Sequence, residues 1–174
     1  HDRYADDYIA DILGGHTTIA MIGASANTNR PSYFAMKYLL GKGYAVHPVN
    51  PGLAVQEILG RTVYGALKDV PAPVEIVDIF RNSEAALEVT REAIGLKDQL
   101  GIKVIWMQLG VRNEMAAQEA EAAGLKVVMN RCPKIEYGRL SGEIGWAGVN
   151  SGLISSQRPR LSPTGVQNHL IAKR

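Results

Sequence analysis

The segment Ile19-Ala20-Met21-Ile22-Gly23-Ala24-Ser25, followed by Asn27, Asn29, Arg30 and Pro31, constrains the fold more than any other part of the chain. A short apolar run ending in Gly-Ala-Ser reads as a buried strand. Pro31 ahead of Phe34, Ala35, Tyr38 and Leu39 reads as the first residue of a helix with one apolar face. Strand, loop and helix in this order bring unpaired backbone N–H groups and the positive end of a helix dipole to one point. An anion is favoured there, and Arg30 adds a fork of donors suited to phosphate oxygens. The expected ligand is a nucleotide, held by Gly23, Ala24, Ser25, Arg30 and Pro31. The alternative is a strand-to-helix turn that binds nothing.

The loop narrows the nucleotide. A dinucleotide fingerprint needs three glycines, for the tight turn, the approach of the pyrophosphate and helix packing. Only Gly23 is present, and Ala24, Ser25 and Ala26 follow it. No Gly-Lys-Ser/Thr follows a glycine-rich stretch, which excludes a Walker loop.

Further apolar runs predict strands at about Thr18 to Ile22, Tyr44 to Val49, Glu75 to Phe80, Lys103 to Met107 and Lys126 to Met129. They are continuous rather than alternating, as in a parallel sheet covered on both faces. Helical patterns lie between them. One starts at Asn82 or Ser83 and stops at Gly101, and another runs from Asn113 to Gly124. Tyr4, Tyr8, Ile9, Ile12 and Leu13 form an amphipathic helix stopped by Gly14-Gly15. This predicts an α/β, Rossmann-like doubly wound fold with a mainly parallel sheet, helices on both faces, and ligands outside the carboxyl ends of the strands.

Residues just after each strand are therefore the ones that matter. His47-Pro48-Val49-Asn50-Pro51 follows the second strand with no Asp or Glu before Glu57, which removes the usual reader of NAD ribose hydroxyls. Asn50 and Pro51 form either a rigid edge of an adenine pocket or simply a rigid turn. Asp78-Ile79-Phe80-Arg81 follows the third core strand. Arg81 points to the crevice of Arg30 or pairs with an acid such as Glu84, and Phe80 packs on the ligand or in the core. Gln108 and Gly110 line the crevice without being reactive, while Trp106 is buried. Cys132 reads as a lone buried thiol, although Arg131 and Lys134 flank it.

A chain of 174 residues with 46% hydrophobic and 21% charged residues is one ordinary globular domain. The absence of a long apolar span or a leader predicts a cytoplasmic protein with no membrane partner, and one cysteine agrees with a reducing compartment. From Arg131 onward there are seven basic residues against two acidic ones, so the first 130 residues carry a net −3. With no aromatics interleaved in its last fifteen residues, this basic end favours an anionic ligand or a partner over nucleic acid. His1, His16, His47 and His169 do not fall at metal-ligand spacing, and Ser25 is not in a nucleophile elbow.

Gly23-Ala24-Ser25 with Arg30-Pro31, Val46-His47-Pro48-Val49-Asn50-Pro51, Val77-Asp78-Ile79-Phe80-Arg81, Trp106-Met107-Gln108-Leu109-Gly110-Val111 and Asn130-Arg131-Cys132-Pro133 together resemble the CoA-binding domain family. The similarity is to the small stand-alone bacterial members related to the N-terminal domain of the succinyl-CoA synthetase α subunit. It runs from about residue 16 to about 155, with Gly142-Glu143-Ile144-Gly145-Trp146 included. The resemblance implies that coenzyme A or an acyl-CoA is the cofactor, with its diphosphate at Gly23 to Ser25 and its adenine near Asn50-Pro51 and Phe80-Arg81. It brings no activity, because the phosphohistidine of the synthetases lies in a second domain. The expected organisation is an N-terminal helix over 1–15, the CoA-binding domain over 16–140 and a C-terminal extension over 141–174. The end from Val166 to Arg174 is expected to be mobile or to dock on a protein partner, and a homo-oligomer is the alternative partner. Two rival readings are an NAD(P)-dependent oxidoreductase and an interaction module with a degenerate nucleotide site.

Overall fold

A computed structural model describes residues 1–143, so Gly145, Trp146 and the segment from Val166 to Arg174 lie outside the described residues. Five parallel strands form the sheet: β1 (Thr18–Ile22), β2 (Ala45–Val49), β5 (Ile76–Ile79), β6 (Val104–Met107) and β7 (Lys126–Val128), in the order β2-β1-β5-β6-β7. Every residue of β5 and β6 is buried, which is why these runs lack polar alternation. Asp78 is the exception in chemistry. It is fully buried in β5, in register with Met21 of β1 and Trp106 of β6.

Helices cover both faces, as the sequence predicts. α1 (Asp6–Gly15), α2 (Pro31–Gly41) and α5 (Pro133–Leu140) pack with Ile19 and Met21 on one side. α3 (Ser83–Leu100) and α4 (Glu114–Ala122) pack with Ala20 and Val77 on the other. The Asn82 and Asn113 side chains accept the amide N–H groups of Ala85 and Ala116, and Gly101 takes a left-handed conformation that ends α3. Departures from strict alternation lie between β2 and β5. There a small antiparallel hairpin, β3 (Glu57–Ile58) with β4 (Arg61–Thr62), and two short 3-10 turns replace a crossover helix. The short α5 after β7 is likewise absent from the sequence reading.

Both lateral strands are met by other parts of the chain. The Tyr8 hydroxyl donates to the Val127 carbonyl and accepts the Val127 N–H, each at 3.2 Å, and the Tyr4 hydroxyl accepts the Met129 N–H at 2.7 Å. The two tyrosine rings stack 5.8 Å apart. Beside β2, the Tyr64 N–H donates to the Pro48 carbonyl and the Asn50 N–H donates to the Tyr64 carbonyl.

At the amino-terminal end of the sheet, Glu75 joins the starts of β1 and β5. Its carboxylate accepts the Thr17 N–H at 2.7 Å and the Thr18 N–H at 3.2 Å, together with both threonine hydroxyls and the His16 ring. Burial works to raise its pKa, but the hydrogen bonds from Thr17, His16 and Thr18 outweigh it and hold the carboxyl at about 2. Near the other boundary of the described residues, Lys42 and Glu143 form a buried ion pair, and the Tyr38 hydroxyl donates to Glu143 at 2.7 Å. No helix among the described residues is long and apolar enough to cross a membrane.

Candidate functional site

The carboxyl ends of the strands open into a cavity of about 800 Å³, within the range of about 300–1,000 Å³ typical of ligand pockets. It lies where the strand order reverses between β1 and β5, the place at which doubly wound sheets part to admit ligands. Gly23, Ala24, Ser25, Arg30, Pro31, Asn50, Phe80, Arg81 and Gln108 all line it. Pro51 and Gly110 do not. Pro51 starts an exposed 3-10 turn, and Gly110 turns the chain at φ 79° with its N–H donated to Asn130 Oδ1.

Gly23 has a φ of 86°, and a Cβ there would meet the Phe80 carbonyl oxygen at 2.5 Å. Only glycine lets the exits of β1 and β5 approach this closely. The Gly23 and Ala24 N–H groups both donate to the Val49 carbonyl, so they brace the loop and do not face an anion. The amides of Ser25, Ala26 and Ser32 are left without an acceptor among the described residues. The open amides thus sit one step further along the loop than the Gly-Ala-Ser pattern suggests. Asn50 is similarly committed: its Nδ2 donates to the Ala24 carbonyl at 2.8 Å and its Oδ1 accepts the Gly52 N–H. It props the loop from below.

Two helices start at the cavity. α2 begins with Arg30 at its N-cap and Pro31 next, and α5 repeats the arrangement with Cys132 and Pro133. The α2 start has no side-chain cap and its positive dipole end is open to a ligand, whereas the Cys132 thiol lies against the Lys134 and Ile135 amides of α5. Arg30, Arg81 and Lys134 surround these starts, and none has an acidic partner among the described residues. Arg81 therefore does not pair with Glu84. Phe80 is partly buried; it packs against the core and also lines the cavity. The rim is apolar: Phe34 and Leu109 are 51% and 55% exposed, and Ile135 lies beside them.

The loops are braced before any ligand arrives. The Trp106 indole, fully buried as expected, donates to the Arg131 carbonyl at 2.8 Å, and Asn113 Nδ2 donates to the Ser83 carbonyl at 2.9 Å. Under them, burial pushes Asp78 up to about 7, against its hydrogen bond from Gln108. Burial also pushes the Cys132 thiol up, against the Ile135 and Lys134 amides, and the Asp78 carboxyl adds to the rise. The thiol is therefore protonated at neutral pH, which is not the state of a nucleophile.

Asn29, Ser32, Phe34, Leu109, Lys134 and Ile135 also line the cavity and were not singled out as ligand contacts in the sequence. The signal for Lys134 and Ile135 was Pro133, a helix-start proline like Pro31. His1, His16 and His47 all lie elsewhere, and the described residues contain no cluster of metal-binding side chains.

A parallel sheet covered on both faces, with an anion-collecting crevice at its switch point, defines a Rossmann-like α/β domain. Within that class the chain belongs to the CoA binding domain family, whose model matches residues 17–138. It is 33% identical over 129 residues to the uncharacterized protein YneT of Bacillus subtilis (strain 168), covering 74% of this chain and 91% of that one. Among solved structures it resembles Prb, a redesigned binding protein, with a TM-score of 0.74, 39% identity, and coverage of 80% of this chain and 94% of the other. It also resembles cell-free ID.343 from Thermus thermophilus, with a TM-score of 0.72, 32% identity, and coverage of 78% and 98%.

Proposed function

We propose that this chain binds coenzyme A or an acyl-CoA at the carboxyl ends of its sheet and catalyses no reaction alone. One observation carries the reading. Arg30, Arg81 and Lys134, without acidic partners among the described residues, converge with the uncapped start of α2 on one cavity, in a chain of the CoA binding domain family. Diphosphate oxygens suit the free amides of Ser25, Ala26 and Ser32 and the guanidinium forks of Arg30 and Arg81. The apolar rim of Phe34, Leu109 and Ile135 suits the pantetheine arm.

A phosphoenzyme mechanism needs a histidine presented to the nucleotide, and none of the three described histidines lines the cavity. On this reading residues 16–140 are the binding unit, residues 1–15 pack on it as a helix, and the extension over 141–174 offers a docking element for a protein partner or a second copy. Calorimetric titration with CoA and with NAD tests the assignment. Saturable heat with CoA is expected, and heat with NAD but none with CoA overturns it. An acid-labile phosphoprotein formed from labelled ATP or GTP with CoA and succinate would show that the chain is an enzyme.

A further inference from the structure

We propose that Asp78 fixes which end of the Gln108 amide faces the cavity, so that the floor of the site accepts a hydrogen bond from a ligand donor. Resting on the CoA reading, this assigns the donor to the pantetheine arm, which would follow the apolar rim beside Gln108 and carries amide N–H groups, a hydroxyl and a thiol.

The argument starts from a buried carboxylate. Asp78 is fully buried and sits between Met21 and Trp106 of the neighbouring strands, neither of which is charged. Its hydrogen-bond partner among the described residues is Gln108, whose Nε2 lies 2.9 Å from one carboxylate oxygen and 3.2 Å from the other.

Both Asp78 oxygens accept from Nε2, so the amide nitrogen faces the carboxyl; this is the arrangement an ionised carboxylate requires, and the test titrations are run at pH 8, above the folded value of about 7. The two ends of a glutamine amide are usually hard to tell apart, but here the partner dictates the assignment. Gln108 Oε1 is then turned away from Asp78. Gln108 is only 5% exposed, it lines the cavity, and its oxygen has no donor among the described residues. The oxygen is open to the cavity, and a ligand that supplies an N–H or O–H there gains a directed hydrogen bond at the floor of the site.

The same geometry discriminates. A ligand group that can only accept would meet the oxygen lone pairs and be rejected, whereas a donor is bound. Asp78 is a positioning residue in this scheme, because it acts through Gln108 and does not touch the ligand.

The test titrates two ligands, CoA and the phosphorylated ADP portion of CoA that lacks the pantetheine arm, into wild type, Gln108→Met and Asp78→Asn. Gln108→Met keeps the volume and removes the acceptor. Asp78→Asn keeps the shape, removes a buried charge and frees the amide to turn over. We expect Gln108→Met to weaken CoA about tenfold and Asp78→Asn to weaken it severalfold, with both variants unchanged toward the arm-less nucleotide. A general loss of fold would weaken both ligands alike. Equal weakening of the two ligands, or no weakening of CoA in either variant, overturns the inference while the CoA reading stands. A wild type that binds neither ligand overturns the CoA reading, and with it this assignment.

Discussion

Glu75 and Asp78 stand three residues apart at opposite ends of β5, and the fold treats them in opposite ways. At the amino-terminal end, Glu75 is sated with donors from Thr17, Thr18 and His16 and is held strongly acidic. Toward the carboxyl end, Asp78 has Gln108 as its hydrogen-bond partner among the described residues and is pushed up by burial. One carboxyl closes the sheet where the strands begin. The other sits under a cavity where amides, guanidinium groups and a glutamine oxygen lack partners among the described residues. The contrast teaches that polar satisfaction is distributed: the stable end of a parallel sheet completes its own hydrogen bonds, and the binding end leaves its bonds for a ligand.

The largest expected effect breaks this comparison at Asp78. Unfolded, its carboxyl titrates near 3.8; folded, it titrates near 7. The folded state therefore binds the extra proton, and wild-type stability falls as pH rises between those values, by at most about 4 kcal/mol. Asp78→Asn removes the penalty, so denaturant unfolding should show the variant gaining on wild type from pH 4 to pH 8. A constant difference across that range would mean the carboxyl is not desolvated.

Glu75→Gln should show the opposite sign. The folded pKa of about 2 lies below the ordinary 4.5, so its stabilisation is complete above 4.5 and disappears as pH falls toward 2. With discount for its partial exposure, the variant loses about 2 kcal/mol at pH 7. Its affinity for CoA should match wild type, because Glu75 is at the far end of the sheet. A fall in affinity would merge the two ends into one functional unit.

Arg30→Ala sharpens the comparison from the other side: it should weaken CoA by roughly 1–3 kcal/mol and leave the melting temperature nearly unmoved. Much lower melting with unchanged affinity would make Arg30 structural. Pro51→Ala is the smallest test. Pro51 is exposed and outside the cavity, so its effect on CoA affinity should stay within about 0.5 kcal/mol.

Sequence reading located the scaffold where the signal was local. β1 and β6 are apolar runs, β5 is one interrupted only by Asp78, and Asn82 and Asn113 announce their helices by capping them. The two-residue strands β3 and β4 are too short for any period to show. In α5, Pro133-Lys134-Ile135-Glu136 mixes polar and apolar residues with no clear face, which hid Lys134 and Ile135 from the site. The site itself was legible as residue types at strand exits. Its pairings were not, because they depend on register: Gln108 meets Asp78 only since β6 lies beside β5 in that alignment. Asn50 shows the same limit, since its partner Ala24 belongs to a loop 26 residues away.

The two tyrosine hydroxyls on β7 have a consequence for assembly. A lateral strand with open amides and carbonyls is a template on which another chain can add a strand, the usual route to runaway aggregation. Tyr4 and Tyr8 occupy three such groups on Val127 and Met129, while Pro48 brings no N–H to the opposite border and Tyr64 takes its carbonyl. On both borders these groups are thus withdrawn from strand addition. Removing the tyrosines would open the β7 border to strand addition, a route to fibrils.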